Sequence, residues 1–334
     1  MIANDSFQSS ISTEFTNYID LKQTLGRSFE TQSYILLKLD QFLCNLTAQP
    51  ADFTAETFGQ WGHTLESLCS NVRRAWMRVV MNFCLYRRRS NPTCFVPDSN
   101  QFPIAQPTVQ PYIFSDVEIA NVLSQIDHIP VTARSPLRAA VTRIAVILLY
   151  TTGIRRGELL RLTVADYDSS GQTLMIRSSK FHKSRILPLP DDVAREVERF
   201  LKVHKSVRPQ LPANAPLLCS PYCGGRSYTA TQLRKNIHIL LNSAEIKKPD
   251  GRLPRIHDFR FSFAVNAILR WYRNGFDVQA KLPFLATYMG HVSILSTYYY
   301  LKFVPQLARF ASDIFAANYG LLIQEPERRE YDEF

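Results

Sequence analysis

A proline-rich stretch divides the chain into two parts that we expect to fold separately. Residues 91–111 contain five prolines and a single charged residue, Asp98. Proline lacks the backbone donor that helices and sheets need, so the stretch is predicted to be an extended linker. We therefore expect one domain over residues 1–90, a second over residues 112–324 and an acidic tail over residues 325–334.

The part before the linker has the apolar spacing of helices. Phe15, Tyr18 and Ile19 begin a pattern that continues to about residue 47, and the segments 54–65 and 68–86 repeat it. This periodicity predicts an all-helical N-terminal domain of about four helices.

After the linker the periodicity is again mostly helical, with one interruption. Three short segments, 166–168, 173–177 and 185–189, alternate as strands do. A turn bearing Lys180 and Lys183 separates the last two. The fold class that we expect is therefore mainly α with a small antiparallel sheet (α+β), in which the sheet belongs to the second domain.

One segment of the second domain collects residues suited to chemistry on a phosphate. His257 and Arg260 form a His-x-x-Arg pair, Gly290 precedes His291, and Tyr300 follows His291 by nine residues. A guanidinium holds phosphate oxygens bidentately, and imidazoles donate hydrogen bonds or move protons near neutral pH. A phenol can retain the phosphate covalently.

The charge distribution indicates a polyanionic partner. The formal net charge is +10, yet residues 1–110 balance nine basic against nine acidic residues, whereas residues 111–324 carry +13. The positive potential is thus concentrated in the part that bears the phosphate-directed residues. No metal site is predicted, because Cys219 and Cys223 lack further ligands at a suitable spacing.

The order of these residues resembles the catalytic set of the tyrosine recombinases, the phage integrase family of site-specific recombinases. The resemblance covers about residues 111–305, and the helical domain and linker before it are similar to that family's core-binding arrangement. Six residues carry it: Arg155 in TGIRRGELL, Lys180 between two strands, His257, Arg260, His291 and Tyr300. It implies that Tyr300 attacks a DNA backbone phosphate and forms a 3′-phosphotyrosyl bond, without metal, ATP or another cofactor.

The resemblance also implies a role for each of the other residues. Arg155 and Arg260 are expected to stabilise the charge of the transition state. Lys180 is expected to protonate the leaving 5′-oxygen, and the two histidines to hydrogen-bond the phosphate or help deprotonate the phenol. Glu158 is expected to orient these groups without reacting. Phe261 is a departure, since many members of the family have a polar or imidazole side chain there.

For the catalytic lysine and the catalytic tyrosine, the sequence offers alternative residues nearby. Lys183 lies in the same turn as Lys180, and Tyr298 and Tyr299 directly precede Tyr300. The spacing typical of the family favours Lys180 and Tyr300. The family's chemistry also makes double-stranded DNA the expected partner of basic residues outside the catalytic set, for which the candidates are Arg73, Arg74, Arg78, Arg156, Lys183, Arg185, Arg234 and Lys235.

The resemblance implies site-specific recombination through a Holliday junction, with four protomers on two DNA sites. A helix at 305–319 is expected to dock on a neighbouring protomer, and an accessory recombinase or DNA-bending protein is a candidate partner. Three alternatives stay open: a strand-relaxing topoisomerase, a telomere resolvase, and a catalytically silent architectural protein that binds DNA.

The compartment that we expect is the cytoplasm. Residues 1–10 lack the basic and apolar regions of a signal peptide, and the longest apolar run, residues 144–150, is too short to span a bilayer. The six cysteines include no C-x-x-C pair and suit a reducing environment. No membrane partner is predicted.

Overall fold

The computed structural model describes residues 7–47, 50–106, 110–133, 135–177, 184–210, 212–220 and 225–303. The chain divides into two compact units between residues 109 and 110, within the predicted linker. Within the ranges given, none of the helices combines the length and the apolar character that a membrane span requires.

The first unit is helical, as predicted. Its described helices are α1 (Ser12–Thr24), α2 (Glu30–Cys44), α3 (Ala55–Thr64) and α4 (Ser70–Arg87). Apolar faces of all four meet in one core, in which Phe15, Leu36, Trp61 and Phe83 are almost completely buried. The helical spacing of apolar residues placed these side chains on inward faces.

A buried arginine with two partly exposed carboxylates links separate parts of this unit. Arg87, at the end of α4, donates from Nε to Glu14 at 3.1 Å and from Nη2 to Asp52 at 2.6 Å. Its side chain is only 3% exposed, so this guanidinium serves to hold the unit together through its two carboxylate partners.

The second unit combines helices with a small sheet, which confirms the predicted fold class. Its described helices are α5 (Asp116–Ser124), α6 (Arg138–Thr152), α7 (Arg156–Arg161), α8 (Asp191–Val207), α9 (Ala230–Ser243), α10 (Ile256–Arg273), α11 (Val278–Met289) and α12 (Leu295–Leu301). The strands are β1 (Tyr167–Asp168), β2 (Thr173–Ile176) and β3 (Arg185–Pro188), which pair antiparallel in the order β1-β2-β3. Leu174 lies opposite Leu187, and both are buried.

Helix α6 is the central element of the second unit, because it contacts α8, α9 and α10. Most of its residues are therefore buried, including Val141, Ala145 and Leu148. A second core cluster joins α10, α11 and α12 through residues such as Leu269, Leu282 and Met289. These two clusters bring the end of α6, the start of α10, the end of α11 and α12 to one place.

Candidate active site

A sharp break after α6 places Arg155. Gly153 ends the helix in the left-handed conformation, with φ of 59°, and Arg155 is the residue immediately before α7. A Cβ atom at Gly153 would lie 2.5 Å from Cδ1 of Phe263 on α10, so only glycine fits this close approach. The break therefore brings the Gly153 backbone against α10, two residues before Arg155.

The start of α10 is anchored by a buried carboxylate. Asp258 is completely buried, accepts a hydrogen bond from the Arg255 backbone N–H, and forms ion pairs with Arg255 and with the buried Lys248. This anchor fixes the first turn of the helix, from which His257 and Arg260 project. The His-x-x-Arg motif gave no reason to single out Asp258, because this residue occupies one of the two positions that the motif leaves variable.

Arg260 is buried at the centre of the site, with 2% exposure. It donates from Nη1 to the Gly153 carbonyl at 2.5 Å and from Nη2 to the Met289 carbonyl at 2.8 Å. Nη2 also lies 2.9 Å from Nε2 of His291. Burial lowers the pKa of Arg260 to about 10, so the guanidinium remains charged at neutral pH.

Three arginines bind three consecutive carbonyl groups at the C-terminal end of α11. Arg185 Nε donates to the Tyr288 carbonyl at 2.9 Å, Arg260 to that of Met289 at 2.8 Å, and Arg155 Nη2 to that of Gly290 at 2.9 Å. The last carbonyls of a helix lack partners within the helix and form the negative end of its dipole. The end of α11 therefore holds a cluster of positive charge in place.

Glu158 is the carboxylate of this cluster. Its side chain, 2% exposed, accepts hydrogen bonds from Arg155 Nη1 at 2.7 Å and from Arg185 Nη2 at 2.8 Å, together with the Arg155 backbone N–H at 3.1 Å. Although burial alone would raise the pKa of Glu158, these hydrogen bonds and charges lower it to about 2. Glu158 is thus ionised and joins two arginines from different elements.

Arg185 occupies a different position from the one expected of a DNA contact. Its side chain is 10% exposed, and all three guanidinium nitrogens donate to Glu158 or to the Tyr288 carbonyl. In the sequence it lies beside the lysine-bearing turn, but in the structure its side chain points to the end of α11. We therefore propose that Arg185 supports the site, while its contact with DNA stays a prediction.

The two histidines differ in their surroundings. His291 lies between Arg260 and Thr297, whose Oγ1 is 2.7 Å from Nδ1. Burial, together with the charges of Arg260, Arg155 and Arg185, lowers the pKa of His291 to about 4, so its imidazole is neutral. His257 is exposed in the first turn of α10, and its pKa is lowered by partial desolvation and by Arg260.

Tyr300 is the tyrosine that faces the arginine cluster. It is 4% exposed, and its ring stacks on that of His291 with centroids 5.8 Å apart. Its phenol lies close enough to Arg260 to oppose part of the lowering of the guanidinium pKa that burial causes. Phe261, the departure from the family pattern, packs edge-on against Tyr300 at 5.1 Å. Tyr299 contacts Phe261 and Phe303 instead.

The remaining predicted DNA contacts fall into three groups. Arg74 donates from Nη1 to the Pro103 carbonyl at 3.0 Å, and Arg73 is half-buried beside it. Lys183 lies outside the described residues, as does Lys180, which is predicted to be catalytic. The other candidates are exposed: Arg78, Arg156, Arg234 and Lys235.

The geometry suits a singly charged phosphate ester. The cluster contains three guanidiniums and one carboxylate, which pairs with two of them, and the imidazole of His291 is neutral, so the cluster has an excess of positive charge. Such fixed charge attracts an anion and stabilises charge that develops in a transition state. Within the described part of the chain, no group of three or more histidine, cysteine, aspartate or glutamate side chains is placed to hold a metal ion.

Comparison with known proteins identifies the family of the chain. The sequence profile of the phage integrase family matches residues 121–305, more than half of the chain. The chain is 29% identical to the integrase/recombinase y4rB of Sinorhizobium fredii, over 88% of this chain and 93% of that protein. It is 22% identical to the tyrosine recombinase XerA of Pyrococcus horikoshii, over 91% and 92% of the two chains.

Two solved structures have the same fold. One is the XerH site-specific recombinase bound to a palindromic difH substrate, with a TM-score of 0.60 at 18% identity over 94% of this chain and 91% of that chain. The other is the Tn1549 transposon integrase in complex with a circular intermediate DNA, with a TM-score of 0.61 at 16% identity over 88% and 95%. The matched family profile, with this fold, establishes that the chain belongs to the phage integrase family of tyrosine recombinases.

Proposed function

We propose that this protein recombines DNA at specific sites by cleaving and rejoining strands through a covalent bond to Tyr300. The observation that carries the proposal is the packing of the Tyr300 phenol against Arg260 and His291, beside the guanidinium of Arg155. A nucleophile, a proton acceptor and two positive charges thus converge within one small cluster.

The reaction is a transesterification at phosphorus. The Tyr300 oxygen forms a bond to the phosphorus of a DNA backbone phosphate, and the bond from phosphorus to the 5′-oxygen breaks. The phosphate gains negative charge in the transition state, which Arg155 and Arg260 stabilise. The bond energy is retained in the phosphotyrosyl link, so attack by a free 5′-hydroxyl reverses the reaction and rejoins the strand.

Two proton transfers complete the step. The phenol must lose its proton to an acceptor, and the neutral imidazoles of His291 and His257 are the candidates. The leaving 5′-oxygen must gain a proton, which Lys180 is expected to supply. That lysine lies outside the described residues, so its role rests on the sequence.

Double-stranded DNA is the proposed partner. The concentration of positive charge in residues 111–324 supports it, as do the complexes in which the similar XerH and Tn1549 proteins bind DNA. We propose that four protomers act on two DNA sites. The helix expected at 305–319, which would link protomers, lies outside the described residues.

Covalent capture tests the nucleophile. The wild type and the variants Tyr298→Phe, Tyr299→Phe and Tyr300→Phe are incubated with the DNA that flanks the gene, stopped with detergent, and the protein-linked 3′ ends are sequenced. Only Tyr300→Phe is expected to abolish the adduct. An adduct that survives in Tyr300→Phe would refute the assignment, and stable DNA binding without any adduct would favour a silent architectural protein.

The products distinguish recombination from related reactions. A recombinase joins strands from two sites, so plasmids that carry two copies of the captured site should yield exchanged products. Relaxation of a plasmid without partner sites would instead identify a topoisomerase. Hairpin ends would identify a telomere resolvase.

A sulfur-substituted substrate tests Lys180. A thiolate leaves without the protonation that an alkoxide needs, since a thiol has a pKa of about 8.5. Cleavage by Lys180→Ala is expected to be slow on normal DNA and restored when sulfur replaces the 5′-bridging oxygen. Lys183→Ala is the matched control and should cleave both substrates as the wild type does. The reverse pattern would transfer the role to Lys183.

A further inference from the structure

Phe261 contacts two residues of the predicted catalytic set. Its ring centroid lies 5.1 Å from that of Tyr300 and 5.2 Å from that of His257, with interplanar angles of 72° and 87°. Aromatic rings attract each other in this edge-to-face arrangement beyond the effect of burial. Phe261 is 8% exposed, so both contacts are largely shielded from water.

Helix α12, which carries Tyr300, depends on such tertiary contacts for its position. It has seven residues, of which Thr297 and Tyr300 are buried, and so short a helix is not stable by itself in water. Phe261 also packs against Tyr299 and Phe303, with ring centroids 6.1 and 5.5 Å apart. One side chain of α10 therefore packs against three aromatic side chains at the end of α12 and just beyond it.

The Phe261 side chain can act on the site through packing alone. It has no donor, no acceptor and no charge, so it cannot bind a phosphate oxygen or move a proton. It follows Arg260 directly and lies four residues after His257 on α10, which puts the rings of Phe261 and His257 on one face of that helix. Its effect on the reaction must come from where it places its neighbours.

We propose that Phe261 is a positioning residue, which fixes the ring of Tyr300, and α12 with it, against the start of α10. This inference rests on the proposed function for its meaning in catalysis. The phenol is then held close to Arg260, which is expected to bind the phosphate. A nucleophile that is already in place adds no cost of ordering to the barrier of the reaction.

Chemical modification measures whether Tyr300 is held in this way. The full-length protein is treated with tetranitromethane, which nitrates accessible phenols, and the nitrated residues are quantified by mass spectrometry of peptide fragments. Tyr298 on the same helix is 36% exposed and provides the internal reference, whereas Tyr300 is 4% exposed. In the wild type, Tyr298 should be nitrated and Tyr300 protected.

Three variants of Phe261 separate the ring from its apolar character. Phe261→Leu keeps an apolar side chain without a ring, and should make Tyr300 as reactive as Tyr298. Phe261→Met, which removes less volume, should have the same effect and replaces the leucine variant if circular dichroism shows that the latter is unfolded. Phe261→Tyr retains the ring and should preserve the protection of Tyr300.

Phe259→Leu is the matched control. Phe259 lies on the same helix, is completely buried and stacks on Phe114 with centroids 4.6 Å apart. It belongs to the core cluster around α6, whereas Phe261 belongs to the cluster that includes α12. Phe259→Leu should therefore lower the melting temperature but leave Tyr300 protected. A reactive Tyr300 in the wild type, or a protected one in both Phe261→Leu and Phe261→Met, would overturn the inference.

Cleavage distinguishes positioning from DNA binding. Phe261→Leu should bind DNA as tightly as the wild type but form the adduct more slowly at saturating DNA, by up to about 100-fold, since misplacing a reacting group by roughly 1 Å can cost that much. Phe261→Tyr should retain most of the rate. Equal rates for Phe261→Leu and Phe259→Leu would contradict the inference. Nitration needs no DNA, so a wild type that forms no adduct would count against the proposed function alone.

Discussion

Replacing Arg185 by methionine tests whether this arginine supports the site or contacts DNA. The change keeps an apolar stem but removes three hydrogen bonds, two to Glu158 and one to the Tyr288 carbonyl. Removing one partner of a buried ion pair costs about 3–5 kcal/mol, and the lower end applies because Arg155 still pairs with Glu158. A loss of about 3 kcal/mol would lower the melting temperature by roughly 6–12 °C in a unit of this size.

An exposed pair of the same kind provides the control. Arg143 makes two hydrogen bonds to Glu196, but the two side chains are 35% and 20% exposed. Arg143→Met should therefore cost about 1 kcal/mol or less, which corresponds to roughly 2–4 °C. Scanning calorimetry of the full chain measures both shifts.

The affinity for DNA at several salt concentrations tests the alternative, in which Arg185 contacts a DNA phosphate. Loss of one phosphate contact reduces the slope of log K against log salt by about 0.9, whereas loss of a supporting residue leaves the slope unchanged. The assignment of Arg185 would be refuted by a melting shift no larger than that of Arg143→Met together with a reduced salt slope.

Two further predictions follow from the same cluster. Gly290→Ala should destabilise the chain by more than Gly275→Ala in urea unfolding: both glycines have φ near +67°, but a Cβ at Gly290 would lie 2.7 Å from Arg185 Nη1, while nothing lies within 4 Å at Gly275. Equal losses of stability in the two variants would show that the Arg185 guanidinium moves aside without a cost in free energy. Stability should also fall as pH drops from about 6.5 towards about 4, because the unfolded chain protonates His291 before the folded chain does. Urea unfolding at pH 7 and pH 5 measures this, and His291→Gln should reduce the difference; an unreduced difference would assign the loss to other groups.

The local elements of the fold were predictable from the sequence. The apolar run before Gly153 forms much of the buried α6, and the glycine ends this helix in the left-handed conformation. The three predicted strands are present, with bounds that differ by at most one residue. These features depend on the periodicity of neighbouring residues and on the conformational freedom of glycine, both of which are visible in the linear order.

The sequence by itself determined the family, the fold class and the candidates for chemistry, because residue type and order carry that information. Only the tertiary structure decided which candidates meet and what holds them. Arg155 reaches the Gly290 carbonyl across 135 residues, and Arg185 reaches that of Tyr288 across 103. Such contacts leave no local period, so the inward turn of Arg185 and the contact between Arg260 and His291 emerged only when separate elements packed together.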